Sequence, residues 1–288
     1  MTTKMDQHVV IVGAGIMGVT LATLLKSIES KVQITLFEQA SEAATGNSAA
    51  FNNAGTGHEA NCEFNYTPVD KSTINIQKAI DIHAQFNIAK QFWSYLVKNN
   101  IIDNHKQFIN YVKHITVVTN DDIDELKERH TQMSSHHFFS SMAYSDNREQ
   151  LKKWIPLIIE QLPEDIKIAA TMIESGTDID YEALTKHMLQ HLINTHGVQI
   201  HYNTKVKRVK RKGDTWHLKV TQNKKSKTYH SDKVFIGAGG NTFPLLKQSK
   251  LTQAKQYAGF PVGGYFLSTE VDNQLANTYQ AKAYGKAK

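Results

Sequence analysis

Three glycines and one carboxylate stand at the spacing needed to hold a diphosphate and a sugar. Gly13-Ala14-Gly15-Ile16-Met17-Gly18 is a G-x-G-x-x-G run, and Glu38 follows Gly18 by twenty positions. Each glycine has a separate task in such a run: Gly13 permits the tight turn, Gly15 lets backbone approach a pyrophosphate, and Gly18 lets helix and strand pack closely. A helix opening at Ile16 turns its free N–H groups and its positive end toward the anion. An acid at position 38 accepts hydrogen bonds from a ribose hydroxyl and disfavours a 2′-phosphate.

A glycine triplet is weak by itself, so the elements around it decide its meaning. Val9-Val10-Ile11-Val12 reads as a strand buried on both faces, and Leu21, Leu24, Leu25 and Ile28 recur at helical spacing to pack on the sheet. A second strand over 32–37 delivers Glu38. Far downstream the pattern repeats. Asp180 can cap a helix over 181–195 whose apolar positions are Leu184, Met188, Leu189 and Leu192, with Gly197 as its C-terminal cap. Residues 198–202 read as a third sheet strand. Residues 205–209, 215–221 and 228–230 read as a small antiparallel crossover, with Gly213-Asp214 at one turn. Val234-Phe235-Ile236 then runs into Gly237-Ala238-Gly239-Gly240, which brings a second stretch of backbone close to the same cofactor.

At 288 residues the chain suits two domains, or one with an insertion. No run approaches the roughly eighteen apolar residues that span a bilayer. The fingerprint strand begins within ten residues of Met1, so no secretory leader is expected. One cysteine, Cys62, admits no internal disulfide or multi-cysteine metal site, and with the rest it points to the cytoplasm. The net charge of +6 comes mostly from lysine, the arginines being Arg129, Arg148, Arg208 and Arg211. The densest basic stretch, 205–212 with Lys224, Lys225 and Lys227, alternates with Val206, Val209, Trp216, Leu218 and Val220. It reads first as strands with a solvated face and second as weak attraction to an anionic membrane surface. No nucleic-acid-binding motif is present. His136-His137 and the pair His187 and His191 read as solvated or helix-packing histidines, the i,i+4 pair lacking an acidic third ligand nearby, so no metal is expected. Phe86, Phe92, Trp93 and Leu96 read as the core face of a long helix.

This order of elements resembles the glutathione-reductase-like flavoproteins, and more narrowly their D-amino-acid-oxidase branch: an α/β Rossmann domain that binds FAD, with a mixed α+β substrate domain. By that resemblance Val206 contacts the adenine region through its backbone. An NAD dehydrogenase is the competing reading, against which the antiparallel crossover counts. One loop narrows the resemblance. It reads Thr45-Gly46-Asn47-Ser48-Ala49-Ala50-Phe51-Asn52-Asn53-Ala54-Gly55-Thr56-Gly57-His58-Glu59-Ala60, followed by Cys62-Glu63-Phe64-Asn65-Tyr66-Thr67-Pro68. This is similar to the malate:quinone oxidoreductase family, where an N-N-A-G-T-G-H segment leads to N-Y-T-P. Further likenesses are Gln91-Phe92-Trp93-Ser94-Tyr95-Leu96, Glu174-Ser175-Gly176-Thr177-Asp178, Phe235-Ile236-Gly237-Ala238-Gly239-Gly240 and Gly259-Phe260-Pro261-Val262-Gly263-Gly264-Tyr265-Phe266-Leu267.

The resemblance implies removal of a hydride from C2 of (S)-malate to the flavin and of the hydroxyl proton to a base, giving oxaloacetate, with electrons passed on to a membrane quinone in the tricarboxylic acid cycle. Asn52, Asn53, Gly55, Thr56 and Gly57 are then expected near the flavin ring, and His58 is the candidate base, since imidazole titrates near neutrality. Quinone coupling implies peripheral contact with the inner face of the cytoplasmic membrane. Family members continue well beyond the position matching Lys288, so the substrate domain is expected to be C-terminally incomplete. Two alternatives accompany this reading: a noncatalytic fragment unable to hold FAD, and a related flavin dehydrogenase acting on another 2-hydroxy acid such as 2-hydroxyglutarate. The expected division is FAD-binding domain at 1–105 and 169–243, and substrate domain at 106–168 and 244–288.

Overall fold

The computed structural model describes residues 7–70, 73–259 and 281–286. Beyond Gly259, the matched segment at 259–267 lies outside the described residues. The chain divides into two compact units. The first comprises, among the described residues, 7–55, 99–108 and 180–259; the second comprises 56–98, 109–179 and 281–286.

In the first unit the β-branched run forms the strand His8–Val12, second from one edge of a four-stranded parallel sheet. The order across that sheet is Gln199–His201, Gln33–Phe37, His8–Val12 and Lys233–Ile236. Because side chains alternate along a strand, Ile11 meets the fingerprint helix Ile16–Ile28, while Val10 and Val12 take the opposite face. There they join Phe37, Val206, Val209, Leu218 and Val220 in one apolar cluster, contributed mostly by an antiparallel sheet of strands Thr204–Lys212, Thr215–Gln222 and Lys225–Ser231. Helix Thr242–Gln248 packs on the first of these strands and adds Leu245 to the cluster.

The fingerprint helix corrects the expected packing. Its buried residues are Gly18, Val19, Ala22, Thr23 and Lys26, while Leu21 and Leu25 are half-buried. Leu24 is 38% exposed and Ile28 83%. Small side chains take the inner face because they let the helix axis come close to the sheet, and the Lys26 amine reaches out to the Ser30 carbonyl at 2.9 Å. The partner helix Tyr181–His196 packs beside it and follows the sequence closely: the Asp180 carboxylate accepts the Ala183 N–H at 2.8 Å, Leu184, Met188, Leu189 and Leu192 are buried, and Gly197 closes the helix at φ +61°.

The second unit is built on a mixed sheet in the order Ala281–Gly285, Lys113–Thr119, Ile168–Ile173, Ala143–Ser145, of which only the first pairing is parallel. The long helix Gln77–Lys98 belongs here and buries His83, Phe86, Trp93 and Leu96, as its spacing suggests, with Phe92 half-buried. The seams therefore differ from the expected division. Among the described residues, 56–70, 73–98 and 169–179 lie in the second unit, and 106–108 and 244–259 in the first. The ladder of Ile168–Ile173 against Lys113–Thr119 settles the fate of that strand, and the packing of Leu245 settles that of its helix. Among the described residues no helix is long and apolar enough to cross a membrane.

Candidate functional site

The C-terminal ends of the parallel strands in the first unit open on a cleft of about 790 Å³, where open α/β sheets bind their ligands. Gly13, Gly15, Ile16, Met17, Glu38, Val206, Gly237, Ala238 and Gly239 all line it. Ala14 and Gly18 build its wall from behind. Ala14 is fully buried, and a Cβ on Gly18 would stand 2.2 Å from the Gly13 carbonyl oxygen and 3.0 Å from Ile11 Cγ2.

The three glycines separate cleanly by what surrounds them. Gly13 adopts φ +100°, and a Cβ there would meet the Gly237 carbonyl oxygen at 2.4 Å, so the turn and the approach of the second glycine strand both exclude a side chain. Around Gly15 the protein itself demands little: the nearest atom to an added Cβ is Ser48 Oγ at 3.2 Å. Its missing side chain instead keeps the mouth of the cleft open to a ligand. Gly15 brings no side chain of its own and the first turn contains no acid; the Ser48 hydroxyl takes the Ile16 N–H at 3.0 Å, and the positive end of the helix remains for an anion at the other N–H groups.

Glu38 is half-buried and already engaged. Its two oxygens accept the N–H groups of Ala14 and Ala40, each at 2.9 Å. An ionised carboxylate offers about four acceptor sites, which leaves capacity for hydroxyls in the cleft that Glu38 lines. Val206 is buried in the apolar cluster, but the strand register slips between Val206 and Arg208, a bulge that takes a residue out of the ladder where Lys205, Val206 and Lys207 meet the cleft. Anion donors, a ribose-competent carboxylate and a cradle that a Cβ at position 15 would enter together fit a dinucleotide.

The N-N-A-G-T-G-H loop is shared between the units in sequence. In the first unit, Asn52 donates to the Gly46 carbonyl at 2.9 Å. Asn53 donates to the Asn47 and Ala49 carbonyls at 3.1 and 2.8 Å, and accepts the Gly55 N–H at 2.8 Å. These amides therefore bind the loop's own backbone and shape it. In the second unit, Thr56 Oγ1 is 2.9 Å from the Tyr284 hydroxyl. The Gly57 N–H donates to the Thr177 carbonyl at 3.0 Å, and a Cβ on Gly57 would fall 1.8 Å from Thr177 Oγ1. Asp178 bridges Thr56 in the backbone and holds the Lys282 amine at 2.6 Å.

His58 lies exposed, with Nδ1 3.3 Å from the Glu63 carboxylate. A carboxylate in that place favours the proton on Nδ1 and leaves Nε2 as the acceptor nitrogen. Burial works to raise the Glu63 carboxyl, but hydrogen bonds from His58 and from backbone outweigh it and hold Glu63 below its usual value. Just beyond, buried Glu59 takes the Lys90 amine at 2.6 Å and the Asn61 amide at 3.2 Å, and fully buried Arg129 donates to Thr67 Oγ1 and the Asn61 carbonyl. Burial brings the Arg129 guanidinium down to about 10.

The site also draws on Ser48, whose hydroxyl accepts the Ile16 N–H at 3.0 Å, on Glu182, whose carboxylate accepts the Ala50 N–H at 2.9 Å, and on Lys282 and Tyr284, none of which is a candidate from the sequence. Ser48 stands within the loop 45–60 that carries the family resemblance; nothing local marks Glu182, Lys282 or Tyr284, although Thr177 and Asp178 lie in the E-S-G-T-D segment. Among the described residues no group of three or more His, Cys, Asp or Glu side chains is placed to hold a metal.

The geometry agrees with the family comparison. The model of the malate:quinone oxidoreductase family matches residues 5–288. The chain belongs to the malate:quinone oxidoreductase family. Among curated members, a probable malate:quinone oxidoreductase of Lysinibacillus sphaericus (strain C3-41) is 42% identical over 290 residues, covering 99% of this chain and 58% of the relative. One from Geobacillus sp. (strain WCH70) is 44% identical over 285 residues, covering 97% and 56%. The chain thus spans somewhat over half the length of these family members. Among solved structures, L-alpha-glycerophosphate oxidase from Mycoplasma pneumoniae, with FAD bound, superposes with a TM-score of 0.61 at 19% identity, covering 85% of this chain and 57% of that one. Glycine oxidase from Geobacillus kaustophilus gives 0.60 at 15%, covering 84% and 58%. At those identities the likeness shows the fold this family shares with such oxidases.

Proposed function

We propose that the chain is the FAD-binding part of an enzyme that oxidises (S)-malate to oxaloacetate and delivers the electrons to a membrane quinone, a step of the tricarboxylic acid cycle. Overall, malate loses a hydride from C2 and a proton from its hydroxyl, and the quinone gains both as quinol. The observation that carries the reading is the cleft in which Gly15, the acid-free helix N-terminus and Glu38 meet. When bound, FAD supplies the two-electron acceptor that no side chain can provide. The chain's own groups do the rest. The N–H groups of Gly15 and Met17, which the helix start leaves toward the cleft, would hold the pyrophosphate, Glu38 would take the ribose, the backbone at Val206 would meet the adenine, and Gly237, Ala238 and Gly239 would form the facing wall.

His58 Nε2 receives the hydroxyl proton, with Glu63 orienting the ring. Asn52, Asn53 and Gly55 keep the preceding turn in shape. Thr56 and Gly57 present the loop, and Lys282 with Tyr284 offers a cation and a hydroxyl for one substrate carboxylate. None of the four arginines suits that task as well: Arg129 is buried, Arg148 binds carbonyls of its own unit, and Arg208 and Arg211 lie in the antiparallel sheet. The setting we propose is cytoplasmic, peripheral on the inner face of the cell membrane.

Turnover with a soluble quinone analogue tests the reading. Malate is expected to serve as reductant far better than 2-hydroxyglutarate, and His58→Gln to lower kcat by about 10²- to 10⁴-fold, the usual contribution of a positioned base. Preference for 2-hydroxyglutarate would move the substrate assignment to that acid. Unchanged turnover in His58→Gln would remove the residue from the chemistry, and flavin retention without turnover would favour a noncatalytic part.

A further inference from the structure

The positive charge of the chain is concentrated in one sheet. Residues 204–231 hold ten of the 33 lysines and arginines and one of the 27 acids, whereas the remaining 260 residues set 23 cations against 26 acids. The chain as a whole is basic only because of this segment, all of which lies in the first unit.

Register sorts these charges by face. Val209, Leu218 and Tyr229 stand opposite one another in the apolar cluster, so the neighbouring rows fall on the other side. Those rows place Arg208 opposite Lys219 and Thr228, Lys210 opposite His217 and His230, Lys205 opposite Thr221 and Ser226, and Lys212 opposite Thr215. The outer face therefore carries five cations and two imidazoles and no carboxylate. Asp214, the single acid of the segment, sits in the turn and pairs with Arg211 at 3.7 Å. Lys205, Arg208, Lys212, Lys219, Thr228 and His230 are all exposed.

Like charges set directly opposite each other weaken a sheet. Arg208 faces Lys219 across the ladder, and the His217 and His230 rings stand 4.3 Å apart beside Lys210. A face that only needed solvation would be served better by mixed signs, which the rest of this chain uses. A cationic, side-chain-rich sheet face with neither an aromatic platform nor a protruding helix matches a plane of phosphates better than a groove or a stack of bases.

We propose that the outer face of the sheet 204–231 is the surface by which the protein docks on anionic phospholipid headgroups. The proposal rests on the reading of a membrane quinone as acceptor for its purpose, but the binding itself requires neither malate nor cofactor. Docking is electrostatic: each cation near an anionic bilayer strengthens partition by about fivefold, and the attraction fades within a Debye length.

Cosedimentation of the full chain with vesicles of phosphatidylcholine, alone or mixed with phosphatidylglycerol, tests it. Binding is expected only to the mixed vesicles, and is expected to be lost at roughly 1 M salt, where the Debye length is about 3 Å. The triple substitution Arg208→Gln, Lys210→Gln and Lys219→Gln should lower the partition coefficient by about a hundredfold, with the melting temperature held or raised, while Lys210→Arg with Lys219→Arg should keep it. Equal binding to phosphatidylcholine alone, an unchanged triple variant, or duplex DNA displacing the vesicles at matched phosphate would each overturn the proposal. Because no malate enters the assay, failure here leaves the malate reading intact, and failure of malate turnover leaves this result standing.

Discussion

The carboxylate of Glu38 accepts the N–H of Ala14 at 2.9 Å, so the acid that ends one strand is fastened to the glycine turn that ends its neighbour. Its other oxygen holds Ala40 at the same distance. The residue expected to bind a ribose thus also sets the shape of the turn that binds the pyrophosphate. Glu38→Gln removes one of two acceptor oxygens and turns an amide NH₂ against a backbone N–H. We expect a stability loss of about 1–3 kcal/mol together with weaker FAD binding, read by thermal melting and flavin fluorescence titration. Loss of flavin affinity with no change in melting would leave Glu38 a ligand-binding role alone.

Gly13 and Gly15 separate fold from function. Gly13→Ala puts a Cβ 2.4 Å from the Gly237 carbonyl at a φ of +100° and should cost stability, with strain alone on the order of 1–3 kcal/mol. Gly15→Ala meets only Ser48 Oγ at 3.2 Å and should melt near the parent while losing at least about tenfold in FAD affinity, the equivalent of roughly 1.4 kcal/mol. Equal destabilisation by both substitutions would contradict the assignment of Gly15 to the ligand.

These contrasts mark what was legible in the chain. Glycine spacing, the Asp180 and Gly197 caps and the alternation of the three antiparallel strands are local chemistry, and the structure follows them. The inner face of the fingerprint helix is not legible from hydrophobicity, which ranks Leu24 and Ile28 above Ala22 and Thr23, whereas close approach to a sheet selects small side chains. The seams between units are not legible locally because they depend on pairings such as Val118 with Ala169, whose partners leave no trace in each other's neighbourhood. Likewise Asn52 and Asn53 have amides suited to a ligand, and only the folded loop shows them spent on its own carbonyls.

Acid should weaken the second unit. Burial holds the His83 and His114 imidazoles below their usual value, against the pull of their hydrogen bonds to the Glu59 and Thr177 carbonyls. The unfolded chain protonates them near pH 6.5 and the folded chain only below that, so between the two the unfolded state binds more protons. Their stabilising effect is complete above about pH 6.5 and is lost as pH falls through the lowered folded values. The melting temperature is expected to drop on going from neutral to mildly acidic buffer, with a shallower drop in His114→Gln. A melting temperature indifferent to pH over that range would contradict the buried neutral state.

Lys282 is held by Asp178 at 2.6 Å, and Thr56 bridges Asp178 in the backbone. If that amine receives a substrate carboxylate, Lys282→Met should raise the KM for malate by about ten- to a hundredfold, the worth of a hydrogen bond to a charged group, and change kcat much less. A fall in kcat at constant KM would assign the residue to positioning the loop.

One spectrum tests the cleft and the reaction together: the purified chain reconstituted with FAD, desalted, and recorded anaerobically before and after (S)-malate. A flavin spectrum that survives desalting and bleaches when malate is added is expected. Flavin lost in desalting would contradict the assignment of the cleft, and bound flavin that stays oxidised with malate would contradict the assignment of the reaction to this chain.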